Sequence, residues 1–352
     1  VKKYKGKEVC DMPKKIKKSY FISFIAVALV FLLLCLLFDT GLLGKKSAYF
    51  NGLLVVGMFY TIIVCSLNLL TGYMGEFSLG HAGFMSIGAY ASAIVTTLIA
   101  NQAELPGVVL YIIAILVGGI AAGIIGVLVG IPALRLSGDY LCIVTVAVAE
   151  IVRVVLSNFG IPAVTGTATF GKSFAGIQKV SDYHYVYITM VLCIVVMYCY
   201  IRSRYGRALI SIREDRIAAT ASGINVTRTK VLTFTISAFF AGVAGAIYAH
   251  YITTLVPTYF NFSKSSEFLA IVILGGSGSL TGSIVAAPIL SALPQLISYV
   301  VPSFASYRML IYAVILVVVM IFKPTGLFGG KEFSLYGLLE KISGRKKDKK
   351  EG

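Results

Sequence analysis

Charge is scarce in this sequence, and acidic charge scarcer still. Of 352 residues 13% are charged, and 15 carboxylates stand against 31 lysines and arginines. A soluble domain is nearer a quarter charged, so an ordinary water-exposed fold is excluded. Histidine occurs three times and cysteine six times, with no C-x-x-C and no His-paired spacing. Cys35, Cys65, Cys142, Cys193 and Cys199 sit inside apolar runs, where cysteine serves as a small hydrophobe. No disulfide, metal ligand set or nucleophile–base pair is assigned, and no catalytic site is expected.

What is abundant is apolar sequence: 58% of residues are hydrophobic. Runs of about 18 or more apolar residues read as membrane spans, and several are present. The fold class is therefore an all-α, polytopic membrane helix bundle. Spans are expected near 20–38, 49–70, 77–100, 107–130, 140–157, 183–201 and 229–254. A glycine-broken or re-entrant element at 268–300 and a last span at 307–322 follow. "LGGSGSLTG" (274–282) carries too much glycine to continue one straight helix. Such backbone survives at membrane depth only where protein or a wet cavity satisfies it.

The net charge of +16 falls in three places: the first twenty residues, the tail (Lys346, Lys347, Lys349, Lys350) and Arg202, Arg204, Arg207, Arg213 and Arg216. Positive charge collects in cytoplasmic loops, so all three are placed inside, with 158–182 outside. Nucleic-acid binding would call for aromatics interleaved with the basic groups and no lipid-facing runs. Both termini inside require an even number of crossings, eight by preference and ten as the alternative. The domains are a basic cytoplasmic tail (1–19), a transmembrane domain (20–330) with a long cytoplasmic loop (202–228), and a second basic tail (331–352). "FISFIAVALVFLLLCLLF" is too long for a signal-peptide core and lacks an A-x-A-like site after it, so an uncleaved first helix is expected.

Small residues recur four apart at Gly119, Gly123; Ala122, Gly126, Gly130; and Ser237, Ala241, Gly245, Ala249. Such stripes let helix backbones approach closely, and packing within one bundle is expected. "GTATFGKS" (166–173) satisfies the phosphate-loop pattern letter for letter. The mechanism needs a buried strand before it and a helix after it, and neither flank supplies one. The match is coincidence.

Ionisable groups inside spans cost about 2.5–3.5 kcal/mol at the bilayer centre on insertion scales, and so pair, face the bundle interior or line a pathway. Asn68, Glu76, His81, Glu150 and Arg153 are the candidates. Glu150 and Arg153 share a helix face, either as a structural pair or as a pathway lining. His81 reads as a packing residue or a proton carrier. Glu76 is expected at an interface, where ionisation is cheap. Residues 206–222 read as one short helix stopped by Gly223, either lying flat on the membrane or docking a cytoplasmic partner.

"SLNLLTGYMGEFSLGHAGFMSIGAY", "GIPALRLSGDYLCIVTVAVAEIVRVVL", "GRALISIREDRIAATASGINVTRTKVLTFTISAFFAGVAGAIYAH", "VILGGSGSLTGSIVAAPIL", "YRMLIY" and "KPTGLFG" follow one another in order. Together they resemble the LivM-type permease of branched-chain amino acid ABC transporters, from about residue 50 to 330. The resemblance implies a non-enzymatic importer subunit in the bacterial inner membrane. It implies a second, LivH-like permease, two cytoplasmic ATPase subunits that use the ATP, and an extracytoplasmic substrate-binding protein. No cofactor on this chain and no nucleic acid are implied. Docking to the ATPase is carried onto Arg213, Glu214, Asp215, Ala218, Ala219 and Gly223. The translocation pathway is carried onto Asn68, Gly72, Ser78, Gly80, His81, Gly275 and Gly276, with Glu150 beside them. Two departures stand out: Glu76 where the family usually shows glutamine, and "TGTATFGKSFAGI" where relatives carry "TGGPNGI". Alternatives are the same type of permease for urea or short amides, or a stand-alone secondary transporter with Glu150 and Arg153 as its coupling site. A membrane-embedded nucleotide-using enzyme would rest on the phosphate-loop match alone.

Overall fold

In the computed structural model the described residues are 47–102, 106–134, 138–158, 174–179, 181–300, 307–322 and 326. They fall almost entirely within one compact unit, Phe50–Glu332. The first span (20–38), both basic tails and the phosphate-loop match lie outside the described residues. Seven helices among those described are long and apolar enough to cross a bilayer, and the protein is an all-α, multi-pass membrane bundle.

Helix α1 (Ser47–Asn68) continues into a π-helical turn, Leu69–Met74. Gly75 ends it with a left-handed φ of 78°, a geometry that an L side chain resists. There the N–H groups of Gly75 and Glu76 both reach back to Leu70 O. Residues 75–80 then run without helix to α2 (His81–Gln102), a span expected to begin at 77. The difference has a cause. Gly80 closes on α4 (Asp139–Asn158), where a Cβ would lie 2.7 Å from Thr145 O. Its own carbonyl takes the N–H groups of Gly83 and Phe84, starting the helix only after it.

Helices α3 (Gly107–Ala133), α4 (Asp139–Asn158) and α5 (Tyr183–Arg202) follow. On α3, Ile112, Leu116, Ile120, Ile124 and Leu128 are exposed at every fourth position, which makes one continuous apolar stripe. The opposite face is glycine. A Cβ on Gly118 would lie 2.9 Å from Gly88 O of α2 and from Ala246 Cβ of α8 (Val226–Ile252), and one on Gly126 2.6 Å from Ala238 Cβ. Gly88 and Gly242 meet backbone to backbone. The small-residue stripes therefore pack α2, α3 and α8 against one another within this bundle, as expected. With no hydrophobic drive between helices in lipid, close backbone approach supplies the contact energy.

The loop expected to form one helix over 206–222 forms two: α6 (Arg204–Glu214) and α7 (Arg216–Ala221). Asp215 divides them. Its backbone is extended (φ −151°, ψ 112°), and its carboxylate accepts the N–H groups of Ile217 at 2.8 Å and Ala218 at 3.0 Å. A side chain that caps a new helix ends the old one. Gly223 does stop the segment, at φ 81°.

Helix α8 (Val226–Ile252), begun by the Asn225 cap, is buried on nearly every side. After it, β2 (Thr254–Leu255) pairs antiparallel with β1 (Phe174–Ala175), Phe174 opposite Leu255. A single 3₁₀ turn (Pro257–Tyr259) leads to α9 (Phe262–Gly275), α10 (Leu280–Val300) and α11 (Arg308–Phe322). The break expected in 268–300 is confined to residues 276–279. It leaves α9 at 14 residues, about 21 Å at 1.5 Å per residue and too short to span alone. Gly275 and Gly282 face each other across the break, where a Cβ on Gly275 would lie 2.9 Å from Gly282 O.

Candidate functional site: a junction of interrupted helices

Two helix interruptions, residues 69–80 and 276–279, lie against each other. Asn68 joins them. Its Nδ2 donates to Ser279 O at 2.9 Å and Ser283 Oγ at 2.9 Å, and its Oδ1 accepts Gly278 N–H at 3.0 Å. The side chain is fully buried, and a primary amide can satisfy all three partners at once. Gly72, one turn later, has no room for a side chain: a Cβ there would overlap Asn68 Oδ1 and the Gly278 amide. Gly276, at φ 110°, is crossed by Gly326, whose Cβ would lie 2.7 Å from Gly276 Cα. The backbone groups freed by the breaks are thus paired inside protein, which is the condition for non-helical chain at membrane depth.

The loop helices reach this junction through one arginine. Arg213 Nη1 donates to Gly72 O at 2.7 Å, and its Nη2 lies 2.6 Å from Glu214 Oε1. Gly75 makes room for it, since a Cβ there would sit 2.7 Å from Arg213 Cγ. Ala219 is buried, Ala218 and Glu214 are exposed, and Ile217 is 83% exposed at the tip of α7.

Glu76 departs from its expected interfacial place. It is buried and forms an ion pair with Lys230 near the start of α8, the two side chains 10% and 7% exposed. Sequence gave no hint of this partner, 154 residues away. Removing two charges from water is repaid only by close pairing, and the second carboxylate oxygen, Oε2, is buried without a hydrogen-bond partner.

His81 opens α2. Its Nε2 lies 2.9 Å from Ser237 Oγ, and Ser237 donates its one proton to Ser66 O at 2.5 Å. The serine therefore accepts, so Nε2 carries the proton. Nδ1 is buried without a partner. The Ala82 N–H, also in the first turn, donates to Ser265 Oγ of α9 at 3.1 Å, and Leu79 N–H to Thr145 Oγ1 at 3.2 Å. Ser78 is buried between these contacts.

Asn68, Gly72, Ser78, Gly80, His81, Gly275 and Gly276 thus line one continuous seam of interrupted helix. Glu150 stands apart, paired with Arg153 at 2.6 Å on α4, the two side chains 36% and 29% exposed. One cluster escaped the sequence reading. Lys264 Nζ lies 2.8 Å from Glu267 Oε2 on α9 and donates to Tyr60 OH, and Tyr60 OH donates to Glu267 Oε1 at 3.0 Å. The i, i+3 spacing of Lys264 and Glu267 was the one available signal, and it sits in a stretch polar enough to pass for a loop.

The family of branched-chain amino acid transport system permease components matches residues 49–320. The high-affinity branched-chain amino acid transport permease LivM of Salmonella typhimurium is 34% identical over 299 residues, covering 77% of this chain and 68% of the relative. The LivM protein of Escherichia coli matches to the same extent. The LivH permease of Escherichia coli is 25% identical over 310 residues, covering 80% of this chain and 95% of the relative. No solved structure matches the chain significantly. A bundle of membrane-capable helices, interrupted at the two glycine-rich motifs and matched over most of its length, belongs to the family of branched-chain amino acid transport system permease components.

Proposed function

We propose that this chain is the transmembrane permease subunit of an ATP-driven importer of branched-chain amino acids, working by alternating access in the plasma membrane with both termini cytoplasmic. It pairs with a second, LivH-like permease, with two cytoplasmic ATPase subunits and with an extracytoplasmic binding protein that delivers the amino acid. The observation that carries this reading is the Arg213 hydrogen bond to Gly72 O. It ties a solvent-facing loop helix to the point where two interrupted membrane helices are clamped together. Displacement of α6 is then felt at the seam without an intervening flexible loop, which is what transmission of rigid-body motion requires.

The exposed tip supports the same reading. Ile217 is a large apolar side chain held in the open beside Ala218 and Glu214, a small anchor suited to an ATPase groove. Two measurements test it. The tagged chain, extracted gently from native membranes, is expected to bring down an ATPase and a second permease. The reconstituted complex, given its binding protein, is expected to take up labelled leucine only with ATP. A chain that purifies alone and moves solute without ATP refutes the importer reading.

A further inference from the structure

We infer that Lys264, Glu267 and Tyr312 form a transient binding site for the zwitterionic head of the transported amino acid, and this rests on the importer reading above. Lys264 and Glu267 are a matched cation and anion, 2.8 Å apart, with side chains only 14% and 18% exposed. Lys264 Nζ lies 4.9 Å from the Tyr60 ring centroid, 5.0 Å from that of Tyr259 and 5.8 Å from that of Phe268. Tyr60 meets the ammonium through its hydroxyl, while the Tyr259 and Phe268 rings lie close enough for their quadrupoles to attract it, and the same rings offer apolar surface to an aliphatic side chain.

Ionisable groups shielded from water in a membrane bundle pair up or line a pathway, and here a cation and an anion stand side by side, the two signs that an amino acid's head requires. Lys264 and Glu267 satisfy each other. An entering amino acid exchanges partners: its carboxylate takes Lys264 and its ammonium takes Glu267. Every charge stays paired throughout, so the desolvation penalty of an isolated buried ion is not incurred.

The independent observation is Tyr312 of α11. Its hydroxyl is buried without a hydrogen-bond partner, and α11 packs against α9, the helix that carries Lys264 and Glu267. A buried hydroxyl left unsatisfied is costly and calls for an explanation; a bound carboxylate or ammonium would supply the missing partner. The surroundings fit a relay. Ser265, adjacent to Lys264, receives the Ala82 N–H at the opening of α2. Tyr259 ends the 3₁₀ turn that comes after β2, the segment paired with Phe174–Ala175 between α4 and α5.

The test uses the full reconstituted complex with its binding protein, measuring labelled leucine moved per ATP hydrolysed. Lys264→Gln and Glu267→Gln are each expected to lower that ratio about tenfold or more, as truncating one partner of a buried charge pair does. Assembly with the ATPases and ATP hydrolysis should persist. The double variant Lys264→Gln/Glu267→Gln leaves no lone charge, so a merely structural pair would be nearly restored by it. Continued loss of leucine transfer in the double variant supports the site, and recovery overturns it.

Tyr312→Phe removes only the unpartnered hydroxyl and should fold at least as well as the parent. It is expected to lower leucine transfer per ATP about tenfold, the size of one hydrogen bond to a charged group. Unchanged transfer in this variant overturns the inference even if the charge variants fail to assemble. Failure of the parent chain to associate with an ATPase would instead sink the importer reading itself.

Discussion

Replacing Asn68 with alanine removes three hydrogen bonds that hold the two helix interruptions together. The cost can be worked out partner by partner. Ser279 O keeps the Ser283 amide at 3.2 Å, and Ser283 Oγ can still donate to Ser279 O at 3.3 Å. Neither is orphaned, so each lost bond there costs about 1 kcal/mol. Gly278 N–H loses the partner it has in Asn68 Oδ1, and being only half-buried it falls near the low end of the penalty, again about 1 kcal/mol. The sum is roughly 3 kcal/mol, and at 1.4 kcal/mol per tenfold that raises local opening of the 276–283 segment by about 100-fold.

Hydrogen exchange read by mass spectrometry on peptides spanning 274–286 would show it as a loss of protection of that order. The core of α8 should exchange as before. Asn68→Asp should be worse than alanine, because a carboxylate faces Ser279 O with no proton to give. If Asn68→Ala leaves the segment's protection within about threefold of the parent, the clamp is not what holds the breaks together.

The Glu76–Lys230 pair gives a second prediction: Glu76→Gln alone should cost about 3–5 kcal/mol by stranding a buried lysine, and Glu76→Gln/Lys230→Gln should recover most of it, read by thermal unfolding in detergent. At the helix crossing, Gly242→Ala should abolish folding, since its Cβ meets Ala122 Cβ and the Gly118 backbone, whereas Gly123→Ala should be tolerated, its nearest neighbour being Phe239 Cβ at 3.7 Å; yield of monodisperse protein distinguishes them. Asp215→Ala removes the α7 cap and should cost about 1 kcal/mol, fraying α7 in hydrogen exchange, while Asp215→Asn should not.

Much of this architecture was legible in the chain itself. The ends of α3, α4, α5 and α11 fall within a few residues of where apolar runs meet punctuation, because lipid imposes length and composition on a span regardless of its neighbours. Gly223 and the 276–279 break were visible because glycine and turn chemistry act locally. The misreadings share one cause. Glu76 passed for an interfacial residue because its partner Lys230 belongs to another helix, and nothing near either residue announces the other. The Asn68 clamp spans a sequence separation of 210 residues. Lys264 and Glu267 went unnoticed because local polarity cannot reveal three aromatic rings gathered from α1, the 3₁₀ turn and α9. The split at Asp215 was within reach, since a lone aspartate before "RIAATA" is a capping signal that lost out to the longer apolar rhythm.

The glycine contacts among α2, α3 and α8 bear on how such a molecule can move at all. Where backbones touch with no side chain between them, sliding by even a fraction of a turn would drive a carbonyl into a neighbouring Cα, as at Gly88 against Gly242. These three helices are therefore geared into a single block with no freedom of its own. The same teeth recur at Gly80 and Gly83 against α4 and at Gly72 against Gly278, so any rearrangement must carry whole groups of helices together and be taken up around them, as at the peripheral α5. A machine of solid blocks with few soft joints has very few ways to bend, and selectivity of motion is set before any ligand arrives.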